Sequence, residues 1–249
     1  MSRTYIVVPC YNEAKRLRGD EFSRFVSEHS DVHFLFVDDG SSDATSSRLA
    51  EIATSSPDSF GVITQSSNQG KAEAVRRGLN EAFDRGATYV GYWDADLATP
   101  LDEIPRFVET LDAHPGLEML FGSRVQLLGR TIDRRTRRHY LGRVSATAIS
   151  LTLGLAVYDT QCGAKLFRVS PESKALFAER FLTNWVFDVE IVARMIESRR
   201  GTGRPGPAEV IREIPLWEWR DVEGSKVKPL DFFRSMHELL RIRRRYLRG

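Results

Sequence analysis

Short apolar runs alternate with longer amphipathic segments along the first half of the chain. The runs are rich in β-branched and aromatic residues and end at turn-forming residues, as buried strands do; they lie at 5–8, 33–37, 60–64, 89–93 and 118–121. The segments between them are typical of helices and lie at 14–29, 43–53, 69–85 and 102–113. Because strands and helices that alternate form a mostly parallel sheet covered by helices on both faces, we predict an α/β fold.

The alternation becomes less regular in the second half of the chain. There we expect helices at 140–157, 184–198 and 230–247 and strands at 165–168 and 209–219. The last of these helices is strongly basic. No repeat, linker or low-complexity tract divides the sequence. We therefore predict that residues 1–249 form a single domain with an amphipathic and a basic helix in its C-terminal half.

Polar and acidic groups follow three of the first four predicted strands. The groups are Pro9-Cys10-Tyr11-Asn12-Glu13, Asp38-Asp39-Gly40-Ser41 and Asp94-Ala95-Asp96. Ligands of open α/β sheets bind beyond the carboxyl ends of the strands. We expect the four aspartates to lie at neighbouring strand ends, where their charges repel unless a cation compensates them. A single Asp-x-Asp pair is more often a solvated turn, but its coincidence with the other groups favours a site for Mg²⁺ or Mn²⁺ and a diphosphate.

Composition excludes several classes of protein. The two cysteines, Cys10 and Cys162, form no C-x-x-C pattern, which favours a reducing compartment. No apolar stretch approaches the roughly 20 residues of a membrane span, and the chain enters its first strand without a signal peptide. We therefore expect a cytoplasmic protein. The net charge of +2 is too small for a dedicated nucleic-acid binder.

Basic residues nevertheless concentrate in two segments. Seven arginines and one acidic residue, Asp133, lie between 124 and 143, and five arginines lie between 241 and 248. A basic segment beside an amphipathic helix that is too polar to span a bilayer is typical of an interfacial membrane element. We predict peripheral membrane contact through 124–157 and the C-terminal helix. A core helix preceded by a solvated basic loop is the alternative.

The strand-end motifs resemble those of family 2 glycosyltransferases, which have the GT-A fold. The segments that carry the resemblance are Val7–Glu13, Val37–Asp43, Asn68–Lys71 and Asp94–Asp96. Further segments resemble the branch of dolichyl-phosphate β-glucosyltransferases and related polyprenyl-phosphate glycosyltransferases; they are Gly122–Arg124, Asp159–Phe167, Trp185–Glu190 and Gly224–Lys226. The resemblance implies a nucleotide-sugar-binding half at 1–123 and an acceptor and membrane-facing half at 124–249.

The resemblance also implies the residues of the donor site. They are Pro9, Tyr11, Asn12, Glu13, Asp39, Gly70, Lys71, Asp94 and Ala95. In this assignment Tyr11 offers a stacking face, Glu13 contacts the ribose or base, and Asp39 accepts a hydrogen bond from the base. Asp94 and Asp96 hold Mg²⁺ or Mn²⁺, which neutralises the departing UDP. Arg124 and Lys226 donate hydrogen bonds to phosphates of the donor or acceptor.

The role of Asp188 depends on the acceptor. A lipid phosphate is already an anionic nucleophile, whereas a hydroxyl acceptor needs a general base within hydrogen-bond reach. Asp188 resembles the base of hydroxyl-acceptor relatives. It could instead orient cations at the acceptor phosphate, or be an acidic residue favoured at a helix N-terminus.

The implied function is inverting, metal-dependent transfer of glucose from UDP-glucose to a polyprenyl phosphate at the cytosolic membrane face. Ala98 stands where mannose-transferring relatives carry glutamine, which favours the glucosyl branch. The alternatives are another donor such as GDP-mannose, a hydroxyl acceptor, or a binding module without turnover. The intact pair Asp94 and Asp96 argues against the last of these. We expect no nucleic-acid partner.

Overall fold

The computed structural model describes residues 3–133, 136–222 and 230–248, and only the backbone at 136–141 and 230–233. The strands are β1 (Thr4–Cys10), β2 (Val32–Asp38), β3 (Phe60–Thr64), β4 (Tyr89–Trp93), β5 (Met119–Ser123), β6 (Thr131–Asp133), β7 (Ala164–Arg168), β8 (Ile211–Pro215) and β9 (Glu218–Arg220). Seven of them form one sheet in the order β3-β2-β1-β4-β7-β5-β8, and β6 pairs with β9 in a second sheet.

Helices cover both faces of the large sheet. They are α1 (Gly19–Glu28), α2 (Thr45–Ser55), α3 (Lys71–Asp84), α4 (Glu103–Ala113), α5 (Thr136–Leu153), α6 (Pro171–Ala178), α7 (Phe187–Arg199), α8 (Pro207–Val210) and α9 (Leu230–Tyr246). One core cluster contains Phe22, Leu49 and Phe107 from α1, α2 and α4. A second core cluster contains Leu79 and Ile191 from α3 and α7. The α/β prediction is therefore confirmed.

The strand order corrects one expectation about the acidic residues. β1 lies between β2 and β4 and pairs with both in parallel. The aspartates that follow β2 and β4 are therefore not at neighbouring strand ends, because the loop after β1 separates them. All three loops still follow the carboxyl ends of parallel strands, so they meet at one edge of the sheet.

Other differences arise where tertiary pairing decides local structure. The predicted helix at 14–29 begins only at Gly19, because Glu13 O accepts hydrogen bonds from the backbone N–H groups of Arg16 and Leu17 in a turn. The predicted strand at 209–219 is divided into α8, β8 and β9, and β9 leaves the large sheet to pair with β6. β7 is antiparallel to both of its neighbours, β4 and β5. Neither β6 nor α6 is predicted by the sequence pattern.

The C-terminal helix packs against α5 and α7. Leu239, Ile242 and Tyr246 of α9 are buried in a third apolar cluster together with Ile149 of α5. Glu190 of α7 is fully buried and accepts a hydrogen bond from the Tyr246 hydroxyl at 2.9 Å. Within the described parts of the chain, no helix has the length and apolar character that crossing a bilayer requires.

Candidate active site

The loops after β1 and β2 are joined through Asn12. This residue has a φ of 52°, in the left-handed region that asparagine tolerates better than most residues. Its side-chain Oδ1 accepts a hydrogen bond from Ser42 N at 2.9 Å, and its backbone N–H donates to Ser41 Oγ at 3.0 Å. Tyr11, immediately before it, is 37% exposed. The loop therefore holds a partly exposed aromatic residue at the carboxyl edge of the sheet.

Asp39 is buried and binds the loop that precedes α3. Its Oδ1 accepts from Gln69 N at 2.7 Å and from Gln65 Nε2 at 2.9 Å, while Oδ2 accepts from Gly70 N at 2.8 Å. Burial raises the pKa of the Asp39 carboxyl, although the backbone N–H groups oppose this shift. Gly70 has a φ of 91°, which favours glycine. Asp39 thus fixes the position at which α3 begins.

The first residue of α3 contacts the Asp-x-Asp motif directly. Lys71 Nζ lies 2.5 Å from Asp94 Oδ1, and both side chains are partly exposed. Desolvation opposes the charge on Lys71, but the carboxylates of Asp94 and Asp188 outweigh it and raise the pKa of the ammonium group. Residues from the loops after β3 and β4 therefore meet in one charged contact.

Asp96 lies in a tight turn and faces a cavity. Its Oδ1 accepts a hydrogen bond from Ala98 N at 3.1 Å, and the intervening Leu97 has a φ of 52°. Burial and the charge of Asp94 raise the pKa of the Asp96 carboxyl. The adjoining cavity has a volume of about 600 Å³, within the usual range for ligand sites. Ala95, between the two aspartates, is buried in the core.

The chemistry of this pair of carboxylates fits a divalent cation. Oxygen ligands suit Mg²⁺ and Mn²⁺, whose remaining positions are usually filled by water and phosphate oxygens. Asp94 packs so closely on Gly163 that a Cβ there would lie 1.9 Å from Asp94 Oδ2. Across the described residues, no group of three or more His, Cys, Asp or Glu side chains is arranged to hold a metal ion. Asp94 and Asp96 are the carboxylates that would hold such an ion.

Arg124, at the end of β5, is held by a carboxylate that carries no role in the sequence-based assignment. Its Nε and Nη2 donate to Asp159 Oδ2 and Oδ1 at 2.6 and 2.7 Å. The charge of Asp159 outweighs the opposing effect of burial and raises the pKa of Arg124. Glu213 of β8 accepts hydrogen bonds from the backbone N–H groups of Tyr158 and Asp159. Because Asp159 accepts from Nε and Nη2 of Arg124, a phosphate bound by this arginine would have to accept from the remaining N–H groups of the guanidinium.

Asp188 forms a buried ion pair. Lys165 Nζ lies 2.6 Å from Asp188 Oδ1, and the two side chains are 1% and 8% exposed. The Tyr92 hydroxyl also donates to Asp188, and Lys165 Nζ donates to Cys162 O at 2.7 Å. Burial raises the pKa of the Cys162 thiol to about 11, so this cysteine is not an activated nucleophile. Asp188 therefore holds a lysine of β7, a contact that the sequence pattern does not predict.

The predicted residues are only partly joined by direct contacts. Asp39 contacts Gly70, and Lys71 contacts Asp94. Pro9 lies opposite Val37 within the sheet. Glu13 forms an ion pair with Arg16, which no sequence motif singles out; its only local signal is the spacing of three residues between the two. Lys226 lies outside the described residues.

Comparisons with known proteins agree with this architecture. The model of the family described as Glycosyl transferase family 2 matches residues 5–175, more than half of the chain. A dolichyl-phosphate beta-glucosyltransferase of Trichomonas vaginalis is 31% identical over 248 residues, which are 95% of this chain and 72% of that protein. A polyprenol monophosphomannose synthase of Mycolicibacterium smegmatis is 28% identical over 196 residues, 79% of this chain and 73% of that protein.

A solved structure extends the similarity to the fold of nearly the whole chain. It is the crystal structure of glucosyl-3-phosphoglycerate synthase from Mycobacterium tuberculosis in complex with Mn²⁺, UDP-glucose and phosphoglyceric acid. The TM-score is 0.63 at 19% sequence identity, over 97% of this chain and 80% of that chain. This similarity supports the fold, and the family match and the sequence relatives support the class of enzyme. The chain therefore belongs to glycosyltransferase family 2.

Proposed function

We propose that this enzyme transfers glucose from UDP-glucose to a polyprenyl phosphate, with Mg²⁺ or Mn²⁺ bound by Asp94 and Asp96. The observation that carries the proposal is the contact of Lys71 with Asp94 beside the open carboxylate of Asp96. This contact places the ammonium group of Lys71 beside the carboxylates of Asp94 and Asp96 at the carboxyl edge of the sheet, where α/β folds bind nucleotides. The named glucosyltransferase relative supports glucose and a prenyl phosphate as the substrates.

The donor is held by the loops after β1, β2 and β3. Tyr11 stacks on the base, and Asp39 keeps Gly70 and Lys71 in position while accepting from the base imide. Lys71 is oriented by Asp94 and donates to the diphosphate. The divalent ion, when bound, stabilises the negative charge on the leaving diphosphate. These groups together align the donor for attack on the sugar.

An anionic acceptor agrees with the contacts of Asp188. The carboxylate of this residue is buried and engaged by Lys165 and Tyr92. A general base must reach the proton that it removes, and Oδ1 of Asp188 is already engaged by two donors of the protein, Lys165 Nζ and the Tyr92 hydroxyl. A phosphate monoester needs no such base, because its oxygen is already negatively charged. The geometry therefore favours a phosphate over a hydroxyl acceptor.

Exposed apolar side chains support peripheral contact with the cytosolic membrane face. Leu127 and Leu128, in the loop between β5 and β6, are 49% and 104% exposed. Val144 and Leu151 of α5 are also exposed, whereas Ile149 of the same helix is buried against α7 and α9. The helix thus has a core face and an outward side on which Val144 and Leu151 lie together with the exposed Arg143 and Thr147. A membrane-bound acceptor would enter from this side.

The proposal is tested by incubating purified protein with radiolabelled UDP-glucose, Mn²⁺ and undecaprenyl phosphate, followed by organic extraction. We expect label in the lipid phase, and none when undecaprenol replaces the phosphate. A parallel reaction with labelled GDP-mannose tests the donor. Transfer to water-soluble acceptors without label in the lipid phase would contradict the lipid assignment, and preference for GDP-mannose would contradict the sugar assignment.

Replacing Gly163 with alanine tests the position of Asp94. The added Cβ would lie 1.9 Å from Asp94 Oδ2, so the carboxylate must leave its present position beside Lys71. Because displacement of a reacting constellation by about 1 Å can cost a hundredfold in rate, we expect about a hundredfold loss of initial transfer rate. Gly116→Ala is the matched control, because its Cβ meets nothing within 4 Å. Wild-type activity in Gly163→Ala would argue against the catalytic importance of Asp94.

A further inference from the structure

Arg16 has a fixed position beside the loop after β1. Its Nη2 and Nε donate to Glu13 Oε1 and Oε2 at 2.6 and 2.8 Å. The backbone N–H of Arg16 also donates to Glu13 O at 2.8 Å. A bidentate carboxylate occupies one edge of a guanidinium group and leaves donors on the other edge for a second acceptor. Glu13 therefore holds the guanidinium group of Arg16 in one orientation.

The guanidinium group of Arg16 lies near the Asp-x-Asp motif of Asp94 and Asp96. Arg16 and Asp96 line the same cavity, together with the apolar side chains of Leu97, Pro100 and Val222. Although burial opposes the charge on Arg16, the carboxylates of Glu13, Asp96 and Asp94 raise its pKa. The charges of Arg16 and Lys71 conversely oppose the raised pKa of Asp96. The two aspartates thus interact with two cations that come from different loops.

The charges around the cavity have a consequence for ligands. The residues that line the cavity carry four positive charges, on Lys15, Arg16, Arg18 and Arg220, and three negative charges, on Glu21, Asp96 and Glu218. The lining therefore has a net charge of one positive, and a divalent metal ion on Asp96 would make it more positive. A phosphate group is the ligand that this balance suits, because phosphate binds both the metal ion and the planar donors of arginine.

We propose that Arg16, oriented by Glu13, binds a phosphate group of a substrate on the Asp96 side of the site. Two sources share this chemistry, the diphosphate of the donor and the phosphate of a prenyl acceptor, whose apolar chain would suit Leu97, Pro100 and Val222. The proposal rests on the proposed function only for the identity of these two substrates. In this arrangement Glu13 is a positioning residue for Arg16, and its carboxylate is directed to the guanidinium.

The test measures ligand binding by Arg16→Gln in the presence of Mn²⁺, by calorimetry. The probes are UDP and uridine, farnesyl phosphate and farnesol, and pyrophosphate. Since hydrogen bonds to charged groups contribute substantially to binding, we expect about a tenfold weaker affinity for at least one phosphate-bearing probe. Uridine and farnesol should bind as they do to the unaltered protein. Arg24→Gln, on the exposed side of α1 (57% exposed side chain), removes the same charge and is the matched control.

Each outcome decides the proposal. Loss confined to UDP and pyrophosphate assigns Arg16 to the donor diphosphate, and loss confined to farnesyl phosphate assigns it to the acceptor. Unchanged affinity for every phosphate probe overturns the proposal, as does equal weakening of uridine, which would indicate a distorted loop. Arg16→Lys keeps the charge and should bind the affected probe with intermediate affinity. If the protein binds UDP through Arg16 but labels no lipid, the proposed acceptor fails and this inference stands.

Discussion

Asp96→Asn is expected to lower the rate of glucosyl transfer by about a hundred- to a thousandfold, because removing one group that stabilises charge in a transition state typically costs this much. The fold should survive the change. Asparagine retains an oxygen that can accept from Ala98 N, and the substitution removes a carboxylate that lies close to Asp94. Loss of a like charge from a desolvated turn does not destabilise it.

The measurement is the initial rate at saturating UDP-glucose and lipid phosphate, together with the thermal unfolding midpoint. Asp102→Asn is the matched control, since Asp102 is exposed and precedes α4. The Mn²⁺ concentration needed for UDP binding provides a second measurement, and it should rise in Asp96→Asn only. Full activity in Asp96→Asn would refute the assignment of this carboxylate to the metal ion.

Sequence patterns predict the part of the site that lies within a few residues of a strand end. Asp39, Asp94 and Asp96 directly follow β2 and β4, and Lys71 directly follows a loop that must end near them. Parallel strands bring such positions to one edge of the sheet, so no long-range pairing has to be known in detail. The observed contacts of Asp39 with Gly70 and of Lys71 with Asp94 are of this kind.

Contacts that depend on strand pairing are beyond the reach of periodicity. β7 is recognisable as a short apolar strand, but nothing local specifies that it enters antiparallel between β4 and β5. This placement brings Lys165 to Asp188, which lies 23 residues further along the chain. The same limit applies to Arg124 and Asp159, which meet across the sheet edge. The contact of Arg16 with Glu13 is not predicted for a different reason. The sequence pattern predicts a helix over 14–29, whereas a turn precedes α1 and directs Arg16 to Glu13.

The buried pair of Lys165 and Asp188 gives the largest expected effect on stability. Replacing Lys165 with methionine removes the counter-charge of the buried Asp188 carboxylate. Of the two contacts described above, Asp188 then keeps the one with the Tyr92 hydroxyl. Breaking a buried ion pair by removing one partner typically costs about 3–5 kcal/mol in the free energy of unfolding. Asp188→Asn should cost a similar amount, because it leaves the lysine ammonium group buried without its counter-charge. Chemical denaturation of each single variant measures both losses.

The double variant Lys165→Met with Asp188→Asn separates a structural role from a catalytic one. It removes both charges and retains an acceptor for Tyr92, so its loss of stability should be smaller than the combined losses of the single variants by about 1–3 kcal/mol. If Asp188 orients Lys165, both single variants should transfer glucose at similar rates under conditions where they are folded. A general base would instead make Asp188→Asn slower than Lys165→Met by about a hundredfold or more. That difference, found alongside unchanged stability, would establish a hydroxyl-type mechanism and overturn the phosphate acceptor.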